Sequence, residues 1–352
     1  MIDRALSLAR LIAAILIVLV FEDPGIFAED KPRSDVPLGQ GSLSGLEELF
    51  QSAQRSVVKL YGAGGMRGLE SYQSGVVIGD GNTILTSWST VLDVDKVRVV
   101  TYDGRRLDAE VVGVDPECEL ALLRVENSKL PGFVLEASYQ VRPGQRVFSI
   151  TNLFGIAAGN EACSYQKGVV MAVSDLQSKY TGLRSVYRGK VIVVDVMTNN
   201  PGAAGGALVD LGGRLVGVIG KELRDEQSGI WLNYSIPADV AAASVDRILA
   251  GKTRSAGASL TMAKNPHKAL DLGMVLIPNV IPKTPVYIDR IRKDSLANRA
   301  GIQANDLVLL VNDQRVDSQK SFEQILQTIE RGDSFQLLLQ RGTELLRVQI
   351  RP

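Results

Sequence analysis

The stretch Asn200-Pro201-Gly202-Ala203-Ala204-Gly205-Gly206-Ala207-Leu208-Val209-Asp210 decides how the rest of the chain is read. Glycine is required where a backbone turns left-handed or comes close to another group. The run is therefore either a loop pressed against something or the plain approach to a hairpin. The hairpin is legible in Leu208-Val209-Asp210 and Leu215-Val216-Gly217-Val218, which flank a turn at Gly212-Gly213. The residues alone leave both readings open.

Outward from that hairpin the same grammar repeats. Ser56-Val57-Val58-Lys59-Leu60, Ser74-Gly75-Val76-Val77-Ile78, Thr83-Ile84-Leu85-Thr86, Val97-Arg98-Val99-Val100-Thr101 and Ala109-Glu110-Val111-Val112 are short β-branched runs separated by turn residues such as Asp103-Gly104. They predict an antiparallel barrel or sandwich. Residues 146–150, 168–173 and 191–196 join the hairpin in a second block of the same kind. Ala238–Leu249 reads as a helix, and 251–257, rich in small and polar residues, as part of a linker. Farther on, Phe322, Ile325, Leu326 and Ile329 recur at helical spacing behind Asp317 or Ser318 as a cap. Strands are expected around that helix at 286–290, 307–311, 335–339 and 345–350, the last two joined at Arg341-Gly342.

With 352 residues, 45% of them hydrophobic and 22% charged, the chain can build several cores and is not globally disordered. Its 39 basic and 39 acidic side chains leave no cationic excess to follow a phosphate backbone, so nucleic-acid binding is not expected. Arg4 and Arg10 accompany the apolar run 11–21, which Asp23-Pro24-Gly25 closes. This reads as a signal peptide over 1–28, cut after Ala28, with a periplasmic or secreted product. An uncleaved membrane anchor is the alternative, although the run is shorter than the ~20 residues that span a bilayer. Residues 29–43 suit a flexible leader. No cofactor and no metal are expected, because one histidine, His267, and two distant cysteines, Cys118 and Cys163, make no ligand cluster. Their spacing does not say whether the two thiols pair. Gly62-Ala63-Gly64-Gly65 lacks the Lys-Ser/Thr that completes a phosphate loop.

Three segments then stand in a telling order. Gly75-Val76-Val77-Ile78 leads to Ile84-Leu85-Thr86-Ser87-Trp88-Ser89-Thr90-Val91-Leu92; Gly113-Val114-Asp115-Pro116-Glu117-Cys118-Glu119-Leu120-Ala121-Leu122-Leu123 follows; and the Gly202 to Asp210 run comes last. Together they resemble the HtrA/Deg family of trypsin-like serine proteases that carry a C-terminal PDZ domain. Ser295-Leu296-Ala297-Asn298-Arg299-Ala300-Gly301-Ile302-Gln303-Ala304-Asn305-Asp306 is similar to the PDZ stretch from a short helix into the next strand. Leu272-Gly273-Met274 is similar to the PDZ loop that receives a peptide's carboxylate. The resemblance implies a mostly β fold, a chymotrypsin/trypsin-like double β-barrel followed by a small α+β PDZ-like domain. It implies barrels over 44–133 and 134–250, a linker over 251–260 and the PDZ-like domain over 261–352.

The resemblance also locates the catalytic positions, and the residues there depart from the family. Ser89 stands for the histidine, Glu119 for the aspartate and Ala204 for the serine. Gly202 and Ala204 are left as the remnant of an oxyanion hole. Acyl transfer by a hydroxyl needs a nucleophile, a base in hydrogen-bond reach and a group that orients the base, so no catalytic residue is expected to act. His267, far from these segments in sequence, is read as a surface or capping histidine. Glu119 is expected to bond the Ser89 hydroxyl or to stay partly wet. Cys118, its neighbour, is expected by strand alternation to face the other way as an inert buried thiol. The implied function is an inactive pseudoprotease of the cell envelope that binds peptides or unfolded protein segments, including free C-termini, as chaperone, adaptor or regulator. The family resemblance implies a homotrimer or association with an active relative. The alternatives are an active HtrA/Deg-type serine endopeptidase of misfolded envelope proteins with a non-standard triad, and a purely structural envelope protein.

Overall fold

A computed structural model describes residues 40–63, 71–136, 140–155, 161–176, 185–200, 202–225, 228–251, 254–255, 262–280, 283–312 and 314–352. The expected signal peptide at 1–28 lies outside the described residues. The first element is helix α1, Gln40–Ala53, which begins inside the stretch read as leader. Leu46, Leu49 and Phe50 recur on one face of it and pack on the core shared by the two barrels. Phe50 stacks on Tyr165 at 4.3 Å between ring centroids and meets Phe148 edge-on at 4.7 Å.

The N-terminal barrel contains β1 (Val57–Tyr61), β2 (Tyr72–Ile78), β3 (Thr83–Ser87), β4 (Val97–Val100), β5 (Arg106–Asp115) and β6 (Leu120–Val125). They pair in the order β5-β4-β1-β2-β3-β6, and a β5–β6 ladder closes the ring. The second barrel, also closed, contains β7 (Arg146–Thr151), β8 (Ser164–Asp175), β9 (Lys190–Val194), β10 (Ala207–Asp210), β11 (Leu215–Ile219) and β12 (Tyr234–Pro237), ordered β10-β11-β12-β9-β8-β7. Along β1 the alternation divides the strand between two cores. Val58 and Leu60 fill the barrel interior, while Val57 joins Phe148, Ile150 and Ala207 in the layer between the barrels.

Helix α2, Ala238–Leu249, closes the second barrel and packs back on the first through buried Ala241, Val245 and Ile248. Burying a valine or isoleucine is worth roughly 1.5–3 kcal/mol, so this stripe is enough to seat the helix. A polar clasp fixes its angle. Asp115, at the end of β5, accepts from Ser244 Oγ at 2.8 Å and from Arg247 Nη2 at 2.6 Å.

The C-terminal domain follows a short strand, β13 (Arg254–Ser255), that lies within the expected linker and pairs with β5. The domain contains α3 (Ala269–Leu272), β14 (Met274–Leu276), β15 (Ile288–Ile291), α4 (Leu296–Arg299), β16 (Leu307–Val311), β17 (Gln314–Arg315), α5 (Gln319–Leu326), β18 (Phe335–Arg341) and β19 (Glu344–Ile350). Of the two caps expected for α5, Ser318 serves, in a reciprocal capping box with Ser321. The mostly β architecture of two barrels and a small α+β domain is the one the resemblance implies.

This domain is docked on the N-terminal barrel. Leu309, Leu310 and Leu338 join that barrel's apolar cluster, and β13 pairs in parallel with β17. Arg315, with only 4% of its side chain exposed, bonds Asp93 at 3.0 Å. Burial nevertheless raises the Asp93 pKa, with the Arg315 and Lys283 charges pulling the other way. Among the described residues no helix is long and apolar enough to cross a membrane.

Candidate active site and peptide groove

The three segments singled out in the sequence converge between the barrels. β3 delivers Thr86, Ser87, Trp88 and Ser89; the β5–β6 turn delivers Glu119; the loop before β10 delivers Gly202 to Gly206. The Trp88 amide donates to the Glu119 carbonyl at 2.8 Å, and the Ser74 amide to the Ala204 carbonyl at 3.0 Å. Ser74 Oγ donates to the Gly202 carbonyl at 2.6 Å and accepts from the Asn152 amide at 2.7 Å. Gly205 has a φ of +81°, and a Cβ there would lie 2.3 Å from both the Ser74 carbonyl oxygen and Thr86 Oγ1. The glycine run is therefore a loop pressed against a neighbour as well as the entry to a hairpin, which answers the question the residues left open.

The amides of this loop divide into two groups. Those of Ala203, Gly205 and Gly206 donate to the carbonyls of Asn200, Ile219 and Ala203. Those of Gly202 and Ala204, expected as the oxyanion-hole remnant, have no backbone acceptor among the described residues. The side chain at 204 is a half-buried methyl group.

The polar side chains expected at the other two catalytic places are tied elsewhere. Ser89 caps the short 3₁₀ turn Thr90–Leu92, accepting from the Val91 amide at 3.1 Å, and its Oγ donates to Gln73 Oε1. Gln73 is buried, and its amide nitrogen donates to Thr86 Oγ1 at 2.6 Å and the Ser87 carbonyl at 2.8 Å. Glu119 does not bond Ser89. Its Oε1 pairs with Lys221 Nζ at 2.8 Å, and its Oε2 accepts from Ser185 Oγ at 3.1 Å. The Lys221 ammonium also lies 5.8 Å from the centroid of the Trp88 ring. Only 13% of the Glu119 side chain is exposed, so partner charge rather than water holds it.

Neither Gln73 nor Lys221 carried a sequence signal. Each lies outside a motif and acts through a contact between distant segments. The alternation argument for Cys118 also needs correction. Cys118 and Glu119 lie in the turn 116–119 rather than on a strand, and Glu119 takes a left-handed φ of 52°. Asp115 Oδ1 holds that turn through the amides of Glu117 and Cys118. The expected chemistry still holds: burial and the nearby Asp115 push the Cys118 thiol up to about 12, and burial pushes Cys163 up to about 11. Both are free thiols.

In the C-terminal domain, Leu272 and Met274 are buried and Gly273 ends α3 with a φ of +86°. A Cβ on Gly273 would meet Ser295 Oγ at 2.3 Å, which accounts for glycine there. The Gly273 amide donates to the Leu270 carbonyl at 3.1 Å, and the Gly273 carbonyl accepts from the Arg292 amide at 2.9 Å. β14 follows and pairs only with β15, so among the described residues its other edge is unpaired. His267 departs from its expected surface position. It is 2% exposed, packed 5.3 Å from the Phe335 ring, with Nε2 unpartnered among the described residues.

Comparison with known families fits this layout. Residues 73–218 match the trypsin-like peptidase domain, and residues 287–341 match the PDZ domain. The chain is a trypsin-like double barrel followed by a PDZ domain. That pairing and the curated relatives support the HtrA family. A Halomonas elongata protein named "Probable periplasmic serine endoprotease DegP-like" is 30% identical over 281 residues, covering 78% of this chain and 54% of that protein. The Escherichia coli K12 "Periplasmic pH-dependent serine endoprotease DegQ" is 25% identical over 283 residues, covering 80% and 59%. The chain thus spans little more than half the length of these relatives. Among solved structures, "HtrA-type protease AlgWS227A with tripeptide" aligns with a TM-score of 0.49 and 23% identity, over 87% of this chain and 96% of that one.

The PDZ domain and the trypsin-like domain also share a half-open pocket of about 190 Å³ beside Ser89, with Trp88, Lys221, Val286, Val308 and Arg315 in its wall.

Proposed function

We propose that this chain is a catalytically inactive HtrA-type pseudoprotease of the periplasm that binds extended peptides or unfolded protein segments. The observation that carries the reading is the occupation of the cleft's polar side chains: Ser89 is bonded to Gln73, and Glu119 to Lys221 and Ser185. A serine protease needs a mobile proton relay ending at a nucleophile. Here Ser89, Glu119 and Ala204 stand at the three triad places, and position 204 carries no atom that can attack a carbonyl. Ser74, a hydroxyl close to the loop, is already both donor and acceptor. Loss of the nucleophile or the base alone lowers turnover by about 10⁶, which leaves only ~10³ to 10⁴ over water from binding and the oxyanion hole. The amides of Gly202 and Ala204 can still receive a carbonyl oxygen, so the cleft would hold a chain without cutting it.

The PDZ domain supplies the second half of the reading. A segment adding antiparallel to the unpaired edge of β14 would gain main-chain hydrogen bonds, with its end received at Leu272-Gly273-Met274. Periplasmic placement draws on the names of the relatives and on the expected signal peptide. The relatives are named serine endoproteases, which motivates the competing reading of an active enzyme.

The test is incubation of the purified chain from Glu29 onward with reduced casein for many hours, beside DegQ as a positive control. The casein should remain intact. Fragmentation by the chain that serine-directed inhibitors abolish would show a hidden nucleophile and end the pseudoprotease reading.

A further inference from the structure

Gln319 and Glu323 lie one helical turn apart on α5, so their side chains share a face. That face looks onto β14 and the loop that precedes it. Gln319 Nε2 donates to the carbonyl of Ile277, the residue after β14, at 2.8 Å. Glu323 accepts from the amide of Ala269, the first residue of α3, at 3.4 Å. The two contacts tie α5 to the residue after β14 and to the loop before it. A strand added antiparallel to β14 brings its own C-terminus to the start of β14, beside Gly273 and within the neighbourhood of Glu323.

Several backbone donors there are already engaged. The amides of Asp271 and Leu272 donate to the Lys268 carbonyl at 3.0 and 3.2 Å, the Gly273 amide to the Leu270 carbonyl, and the Ala269 amide to Glu323 itself. Four donors at this end of the groove are therefore engaged within the chain. The charges leave Glu323 least compensated. Arg331 is bonded to Asp271, and Lys268 is exposed, where water screens it. Burial raises the Glu323 pKa against the smaller opposing effects of the Ala269 amide and Lys268, as befits a carboxylate short of partners.

We infer that Glu323 is a specificity-determining residue of the PDZ groove: its carboxylate turns away a free C-terminal carboxylate and selects segments that carry no charge where they meet the loop. Internal stretches of unfolded protein meet that requirement, and most chain ends do not. The inference rests on the proposed binding of a segment along β14 and narrows what the loop at Leu272-Gly273-Met274 receives. Like charges brought together at an interface are strongly disfavoured, whereas an internal amide meets no such penalty.

The experiment uses the full chain, immobilised, and a mixed-sequence library of ten-residue peptides prepared in three forms: free acid, C-terminal amide and C-terminal methyl ester. Retention is read by mass spectrometry at pH 7.5. The amide and ester forms should be retained about tenfold over the acid. Glu323→Gln keeps an acceptor for the Ala269 amide and removes the charge, so it should bring the three forms within about twofold of one another. If that variant does not fold, Glu323→Ala serves the same comparison, and the amide and ester forms on the unmodified chain separate charge from shape. Acid retained as well as amide, or a discrimination that Glu323→Gln leaves intact, overturns the inference and spares the peptide-binding reading. Retention of none of the three forms overturns that reading, and the inference falls with it.

Discussion

The cleft between the barrels and the groove of the PDZ domain both end in a buried glycine with positive φ, and they differ in what their backbones still offer. Around Gly205 three segments are locked by bonds between strands, and the polar side chains at the degenerate triad places, Ser89 and Glu119, are engaged in bonds of their own. Around Gly273 the loop is also locked, but it opens onto β14, a strand with one edge unpaired among the described residues. The comparison teaches that proteolysis and strand addition fail differently. Losing one hydroxyl removes a nucleophile outright, while an edge strand binds through main-chain groups that survive side-chain change.

If the cleft is the more rigid of the two, adding one methyl group to each glycine should separate them. Gly205→Ala drives a Cβ into the Ser74 backbone and Thr86 Oγ1 at a left-handed φ, and should cost about 4 kcal/mol or more. Gly273→Ala meets the Ser295 side chain and should cost less, about 2–3 kcal/mol. Urea unfolding followed by circular dichroism measures both. Equal midpoints for Gly205→Ala and the parent would remove the rigid-cleft description.

Next in size is the Lys221–Glu119 pair. Lys221→Ala leaves a mostly buried carboxylate with Ser185 alone, and should destabilise by about 1–3 kcal/mol. A double-mutant cycle with Glu119→Gln should recover part of that loss. Additive single effects would mean that the pair does not hold the cleft.

The smallest effect belongs to the PDZ domain and depends on pH. Burial, followed by the Arg331 charge, lowers the His267 pKa from 6.5. The folded state therefore binds the proton less readily than the unfolded chain. The associated stability is present above about pH 6.5 and is lost as pH falls through the lowered value. Between pH 7.5 and 5 the melting temperature should drop by about 2–4 °C, and His267→Gln should flatten the drop. An unchanged slope in that variant would assign the acid sensitivity to other groups.

Legibility followed how local the cause was. Ala238–Leu249 and Leu307–Val311 have the bounds expected from the sequence, because the first presents an apolar face, the second is an unbroken apolar run, and each ends at clear breakers. β8 runs from Ser164 to Asp175, well beyond the apolar 168–173, because polar residues continue its ladders with β7 and β9. Strand alternation misplaced Cys118 because the chain turns there, and the Asp115 carboxylate that holds the turn shows no period. His267 was read as exposed because nothing beside it in sequence announces the Phe335 ring against which it packs.

By itself the sequence determined the two-barrel and PDZ order, the glycines on which the close approaches depend, and the absence of a serine at position 204. The order follows from the resemblance that the motifs carry, and the rest from residue identity, which no fold can alter. The tertiary structure alone decided that Ser89 answers to Gln73, 16 residues away, and that Glu119 answers to Lys221, 102 residues away. A buried polar group takes whichever partner the packed chain brings within about 3 Å; for Ser89 that choice is made when β2 and β3 pair, and for Glu119 only when the two barrels meet.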